Sequence, residues 1–135
     1  SRFVTHPPIQ TFRVKVTQPH HPLLVGIDDF TTEDEPYCCD VTGEIDILLE
    51  SRYSSETMTE LPVGWDDAER VHPQMYLKKV GSGEILYLML GHCCGRFDMQ
   101  PIMAECDVVR CSWDLPVYYE LLQRGISWGI SGPTS

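Results

Sequence analysis

The sequence predicts an α/β fold on three observations. A continuous apolar run, Leu86-Tyr87-Leu88-Met89-Leu90, is bounded by Gly83 and Gly91 and reads as a strand buried on both faces in the middle of a sheet. Two strand-like segments, 75–80 and 83–88, flank Gly81-Ser82, which makes a β-hairpin that delivers the chain to His92. From Pro116 to Gly129 the apolar residues Val117, Leu121, Leu122 and Ile126 recur at helical spacing, with a proline in the first turn, where its missing N–H costs nothing.

The remaining elements follow in order. Residues 1–8 predict an extended, irregular lead, because prolines 7 and 8 push the preceding backbone out of the helical region. Thr11 to Val16 alternates polar and apolar with period two, the pattern of a half-exposed strand. The apolar run 23–27 is too short to assign. Residues 45–51 predict an interior strand and 52–64 a polar loop. Residues 93–115, rich in Gly, Asp and Cys, show no clean period and predict a long loop, a setting that commonly carries function. Beyond Gly132-Pro133 the tail is expected to fray.

A chain of 135 residues predicts one domain, 1–135, and its composition (42% hydrophobic, 22% charged) is that of a globular protein. No apolar run approaches the roughly 20 residues that cross a bilayer. Twenty acidic against ten basic residues give a net charge of −10 without a basic cluster, which argues against nucleic acid and anionic membrane as partners. The six cysteines fall as Cys38-Cys39, Cys93-Cys94, Cys106 and Cys111, with no C-x-x-C pair. That spacing predicts reduced thiols in a cytoplasmic protein; in an oxidising compartment Cys106 and Cys111 would be the pair to bridge.

Two features point to a site. Ligands of open α/β sheets bind outside the carboxyl ends of strands, where His92 is expected; the alternative is a turn histidine. Asp28, Asp29, Glu33, Asp34, Glu35 and Asp40 concentrate charge in one stretch, which reads either as a solvated loop or as a segment that turns one or two carboxylates inward beside the aromatic ring of Tyr37. The predicted constellation is His92, Glu35 and Asp34 for chemistry, with His6, Tyr37, Arg96, Asp98 and Trp113 as binding residues. Carboxylates pair with hydroxyls and aromatic faces cover the apolar side of a ring, so a small-molecule sugar is the expected ligand. No cofactor is required, although two histidines and a carboxylate would also suit a divalent metal such as zinc. The pocket requires His92 and the 34–37 segment to lie within about 12 Å of one another. His20, His21 and His72 are expected in turns or caps, and Trp65 and Trp128 in the core or a lid.

Read together, His6-Pro7, His21-Pro22, Phe30 followed by Asp34-Glu35-Pro36-Tyr37, Pro62 with Trp65, Gly81-Ser82-Gly83 leading to Leu90-Gly91-His92, and Arg124-Gly125-Ile126-Ser127-Trp128 resemble the ThuA-like, trehalose-utilisation family. The resemblance implies a flavodoxin-like, class I glutamine-amidotransferase-like three-layer sandwich and a role in carbohydrate metabolism. It also implies that the first βα units of the domain precede Ser1, so that the chain is its carboxyl-terminal portion. A first strand left without them would expose an edge and an apolar face, which a partner or self-association into a homo-oligomer would cover. In amidotransferase relatives the histidine comparable with His92 activates a cysteine. Cys93 and Cys94 lie on no strand-to-helix elbow, so amidotransferase chemistry is not expected here. Two functions remain open: an enzyme acting on a sugar or oxidised sugar, or a carbohydrate-binding or scaffold module without turnover.

Overall fold

The computed structural model describes residues 2–131. The expected tail at Gly132-Pro133 therefore lies outside the described residues. Seven strands run in chain order: β1 (Arg2–Thr5), β2 (Gln10–Val16), β3 (Phe30–Asp34), β4 (Cys38–Asp40), β5 (Asp46–Arg52), β6 (Val71–Val80) and β7 (Gly83–Leu88). A 3₁₀ turn, Cys111–Asp114, leads into the single helix α1 (Pro116–Ser131). Five strands form one sheet in the order β3-β2-β5-β6-β7, and β1 pairs with β4 as a separate ribbon.

Every strand pair among the described residues is antiparallel. The α/β class holds, as a mixed architecture of an antiparallel sheet and one helix. The parallel strands of a flavodoxin-like sandwich are not among the described residues.

The strand buried on both faces is β6, not the Leu86–Leu90 run. From His72 to Leu77 every residue of β6 is buried, because β5 and β7 flank it and both faces are covered. β7 instead lies at the sheet edge and alternates, with Ile85 (48%) and Tyr87 (42%) exposed while Leu86 and Leu88 pack against the core. A continuous apolar run does not by itself reveal whether one face or two are covered. The ladder between β5 and β6 slips at Leu49/Glu50, opposite Pro73, whose missing N–H is tolerated where the pairing is irregular.

Of the lead predicted as extended and irregular, residues 2–5 form a strand and 6–8 are irregular. β1 pairs with β4 in the register Arg2↔Asp40 and Phe3↔Cys39, closed by an Arg2–Asp40 ion pair of 2.8 Å. Phe3 and Val4 remain exposed. The unassigned run 23–27 is a series of turns that buries Leu23, Leu24 and Ile27. Arg124 of α1 clasps it by donating to the carbonyls of Leu23 (3.1 Å) and Val25 (2.9 Å).

The helix lays Leu121 and Leu122 over Met75, Leu86 and Leu88. Gly125 is what permits close approach, since a Cβ there would stand 3.0 Å from Leu86 Cδ2. Tyr118 is buried, and Ile126, expected on the packed face, is 62% exposed. Trp65 lies in the core, as its size suggests. His72 is no turn residue. It is buried in β6, its ring stacked 3.9 Å from that of Tyr53.

Candidate functional site

Two chain junctions are brought side by side by the strand pairings. His6 to Ile9 connects β1 to β2, and Glu35-Pro36-Tyr37 connects β3 to β4. Since β1 pairs with β4 and β2 with β3, the two connections lie next to each other. His92 arrives from a third direction, after β7.

Asp34 ties the third to the second. It is 1% exposed, on the inward face of β3, and its carboxylate is saturated with donors. Oδ1 accepts from the backbone N–H groups of Glu35 (2.8 Å) and His92 (3.1 Å); Oδ2 accepts from the N–H of Gly91 (2.8 Å) and from the Ser112 hydroxyl. Ser112 also shares a 2.7 Å hydrogen bond with Thr32. The acidic stretch therefore does not form the solvated loop: residues 30–34 are a strand, with Thr32 and Asp34 inward and Thr31 and Glu33 outward.

Glu35, whose side chain is 12% exposed, holds both histidines with one carboxylate. Oε1 lies 2.9 Å from His6 Nδ1 and Oε2 lies 3.2 Å from His92 Nδ1. His6 Nδ1 is also 3.0 Å from the carbonyl oxygen of Pro7. Carboxylate and carbonyl oxygens accept, so an Nδ1–H is what each imidazole presents to Glu35. The Tyr37 hydroxyl also bonds Glu35, and burial first, then the charge of Glu35, pushes its pKa up to about 12. Tyr37 therefore stays protonated and donates. Around the carboxylate stands an aromatic wall: Phe3 meets Tyr37 edge-on at 5.4 Å and lies 6.0 Å from His6.

A family model described as trehalose utilisation, ThuA, matches residues 1–106. The chain belongs to the ThuA family. Among solved structures it is similar to a ThuA-like protein from Parabacteroides merdae, with a TM-score of 0.65 and 23% identity over 92% of this chain. The chain spans 39% of the length of that protein. No curated protein matches it.

Not all the residues predicted for the site gather there. His6, Glu35, Tyr37 and His92 do. Arg96 pairs with Glu105 at 2.6 Å, and Asp98 accepts from the N–H of Gly95, so both brace the 93–110 loop. Trp113 is a support: its indole N–H donates to the Gly91 carbonyl at 2.9 Å, and its ring packs edge-on against Tyr118 at 4.9 Å. Sequence reasoning missed Phe3 and Ser112. An aromatic three residues before His6 was a signal for the first; nothing local marks Ser112, which follows Cys111, the first residue of the 3₁₀ turn, held in a left-handed backbone (φ +44°). Burial and the nearby carboxylates push the Cys111 thiol up to about 12, which makes it inert as a nucleophile. Among the described residues, no group of three or more His, Cys, Asp or Glu side chains is placed to hold a metal ion. A cavity of about 780 Å³ between His21 and Trp128 contains none of the predicted site residues.

Gly91 is required where it stands. Its φ is +102°, and a Cβ would fall 2.0 Å from the Tyr118 hydroxyl oxygen. Gly91→Ala is expected to destabilise the fold by about 2 kcal/mol, combining overpacking with backbone strain. A urea titration checks this, and Tyr118→Phe in the same background should recover part of the loss.

Proposed function

We propose that the chain carries a sugar pocket in which His92 is the general acid/base, oriented by Glu35, on a disaccharide or oxidised sugar of the kind trehalose utilisation handles. The observation that carries this reading is the fork at Glu35, one carboxylate within 3.2 Å of two imidazoles. A carboxylate on Nδ1 fixes the tautomer and stabilises the imidazolium that forms when Nε2 takes a proton. His92 Nε2 would accept a proton from a sugar hydroxyl as the bond to it is made or broken, and return it in the next step. Phe3 and Tyr37 would cover the apolar face of the ring, and His6 would hold a second hydroxyl. Asp34 belongs to this site as a positioning residue rather than a catalytic one, because its oxygens already accept four hydrogen bonds.

The flavodoxin-like three-layer sandwich is part of the same proposal, supported by family membership alone. So is a cytoplasmic setting, supported by the cysteine spacing. No helix among the described residues is long and apolar enough to cross a membrane.

The test is turnover and calorimetric binding of trehalose and its oxidised derivatives by the unmutated protein, His92→Ala and Glu35→Gln. General acid/base catalysis contributes roughly 10²–10⁴-fold, so His92→Ala should lose about that factor while sugar affinity changes only a few-fold. Glu35→Gln should lose about 10²-fold, the effect of a misoriented imidazole. Binding without turnover in the unmutated protein would support the non-catalytic module instead. Absence of both would overturn the sugar reading.

A further inference from the structure

The lobe that follows His92 holds two thiols in contact. Cys94 Sγ lies 3.4 Å from Cys106 Sγ, and both residues are partly exposed. The two limbs that carry them are fastened independently of the sulfurs. Cys94 exchanges two backbone hydrogen bonds with Val109 (3.0 and 2.9 Å), and the Cys106 N–H donates to the Arg96 carbonyl at 2.9 Å. The Arg96–Glu105 ion pair, 2.6 Å, closes the same side. We propose that Cys94 and Cys106 form a dithiol that closes to an intramolecular disulfide by exchange with a low-molecular-weight disulfide, a modification site two residues from His92.

A disulfide has its sulfurs about 2.05 Å apart, so closure asks for an approach of little more than an ångström, within reach of χ1 rotation on a frame that is already braced. The alternatives are poorer. Cys93 is exposed but vicinal to Cys94, and adjacent cysteines bridge badly. Cys111, the partner that spacing suggested for Cys106, sits beside Asp34, and among the described residues the sulfur in contact with Cys106 is that of Cys94.

The step balances as ordinary exchange. One thiolate attacks the reagent RSSR, forming a mixed disulfide and expelling RS⁻. The second thiolate attacks the protein sulfur of that mixed disulfide and expels the second RS⁻. The two protons given up by the cysteines end on the two released thiolates, so dithiol plus RSSR gives disulfide plus two RSH.

The test incubates the full chain with oxidised glutathione, alkylates free thiols, and maps non-reduced tryptic peptides by mass spectrometry. Cleavage at Lys79, Arg96, Arg110 and Arg124 places Cys94 on peptide 80–96, Cys106 on 97–110 and Cys111 on 111–124. The expected product is a mass loss of about 2 Da with peptides 80–96 and 97–110 joined, restored by reductant. Because Cys93 shares the first peptide, the link must survive in Cys93→Ser and vanish in Cys94→Ser. A link that vanishes in Cys93→Ser, a link between 97–110 and 111–124, or glutathione adducts without any link would each overturn the proposal.

Discussion

Asp34→Ala is expected to cost about 4 kcal/mol and to dismantle the site, although Asp34 touches no ligand in the proposed mechanism. The substitution removes one acceptor group from four donors at once: three backbone N–H groups, of Glu35, Gly91 and His92, and the Ser112 hydroxyl. A buried donor left unpaired costs about 1–3 kcal/mol, and the sum is reduced because the carboxylate's own desolvation is relieved. For a domain of this size the loss corresponds to roughly 15 °C in Tm. The connection between β3 and the segment after β7 is made by these bonds, so His92 would no longer be held at 3.2 Å from Glu35. Asp34→Asn separates charge from geometry. It keeps one oxygen for two of the N–H groups and turns an amide donor toward Gly91, so it should cost about half as much. Differential scanning calorimetry gives the stability, and hydrogen exchange at the Gly91 and His92 amides gives the local effect, which should be faster in both variants. A Tm shift below about 3 °C for Asp34→Ala would show that the carboxylate does not hold the site together.

The residues that the sequence brings out as functional divide by the range of the contacts that define them. The Gly81-Ser82 hairpin, the helix from Pro116 and the alternating strand at 11–16 are set by spacing within a few residues, and each forms as that spacing predicts. The acidic stretch announced its importance through charge density alone. Which carboxylate turns in depends on the β2–β3 register, where Asp34 pairs with Gln10 and so points inward while Glu33 points out. His6 and Glu35 are 29 positions apart and meet because β1 docks on β4, a pairing between strands too short to be read from period. The antiparallel connectivity of the described strands was hidden for the same reason. Apolar runs report that a strand is covered, and neither its direction nor its neighbours.

The buried histidine of β6 makes stability depend on pH between about 4 and 6.5. His72 is 2% exposed, stacked on Tyr53, and its Nε2 has no hydrogen-bond partner among the described residues. Burial first, then the guanidinium charges of Arg70 and Arg52, lowers its pKa from 6.5 to about 4. Arg70 is itself fixed over the Trp65 ring at 3.6 Å, so it does not swing clear to admit a second positive charge. Between these two values the unfolded chain binds a proton that the folded chain refuses, so stability falls as pH falls. Above pH 6.5 this contribution is flat, and by pH 4 the penalty reaches about 3 kcal/mol, since each tenfold loss of proton affinity on folding is worth roughly 1.4 kcal/mol. Carboxylates titrate near the lower end of that window, so the measurement is the difference between the unmutated protein and His72→Phe, which keeps the ring stack and removes the proton site. Urea midpoints for the two should run parallel above about pH 7 and diverge steadily toward about pH 4.5, with the phenylalanine variant the more stable. Curves that stay parallel through that range would mean His72 takes its proton in the folded state, and the core around Tyr53 would then have to open to water to accommodate it.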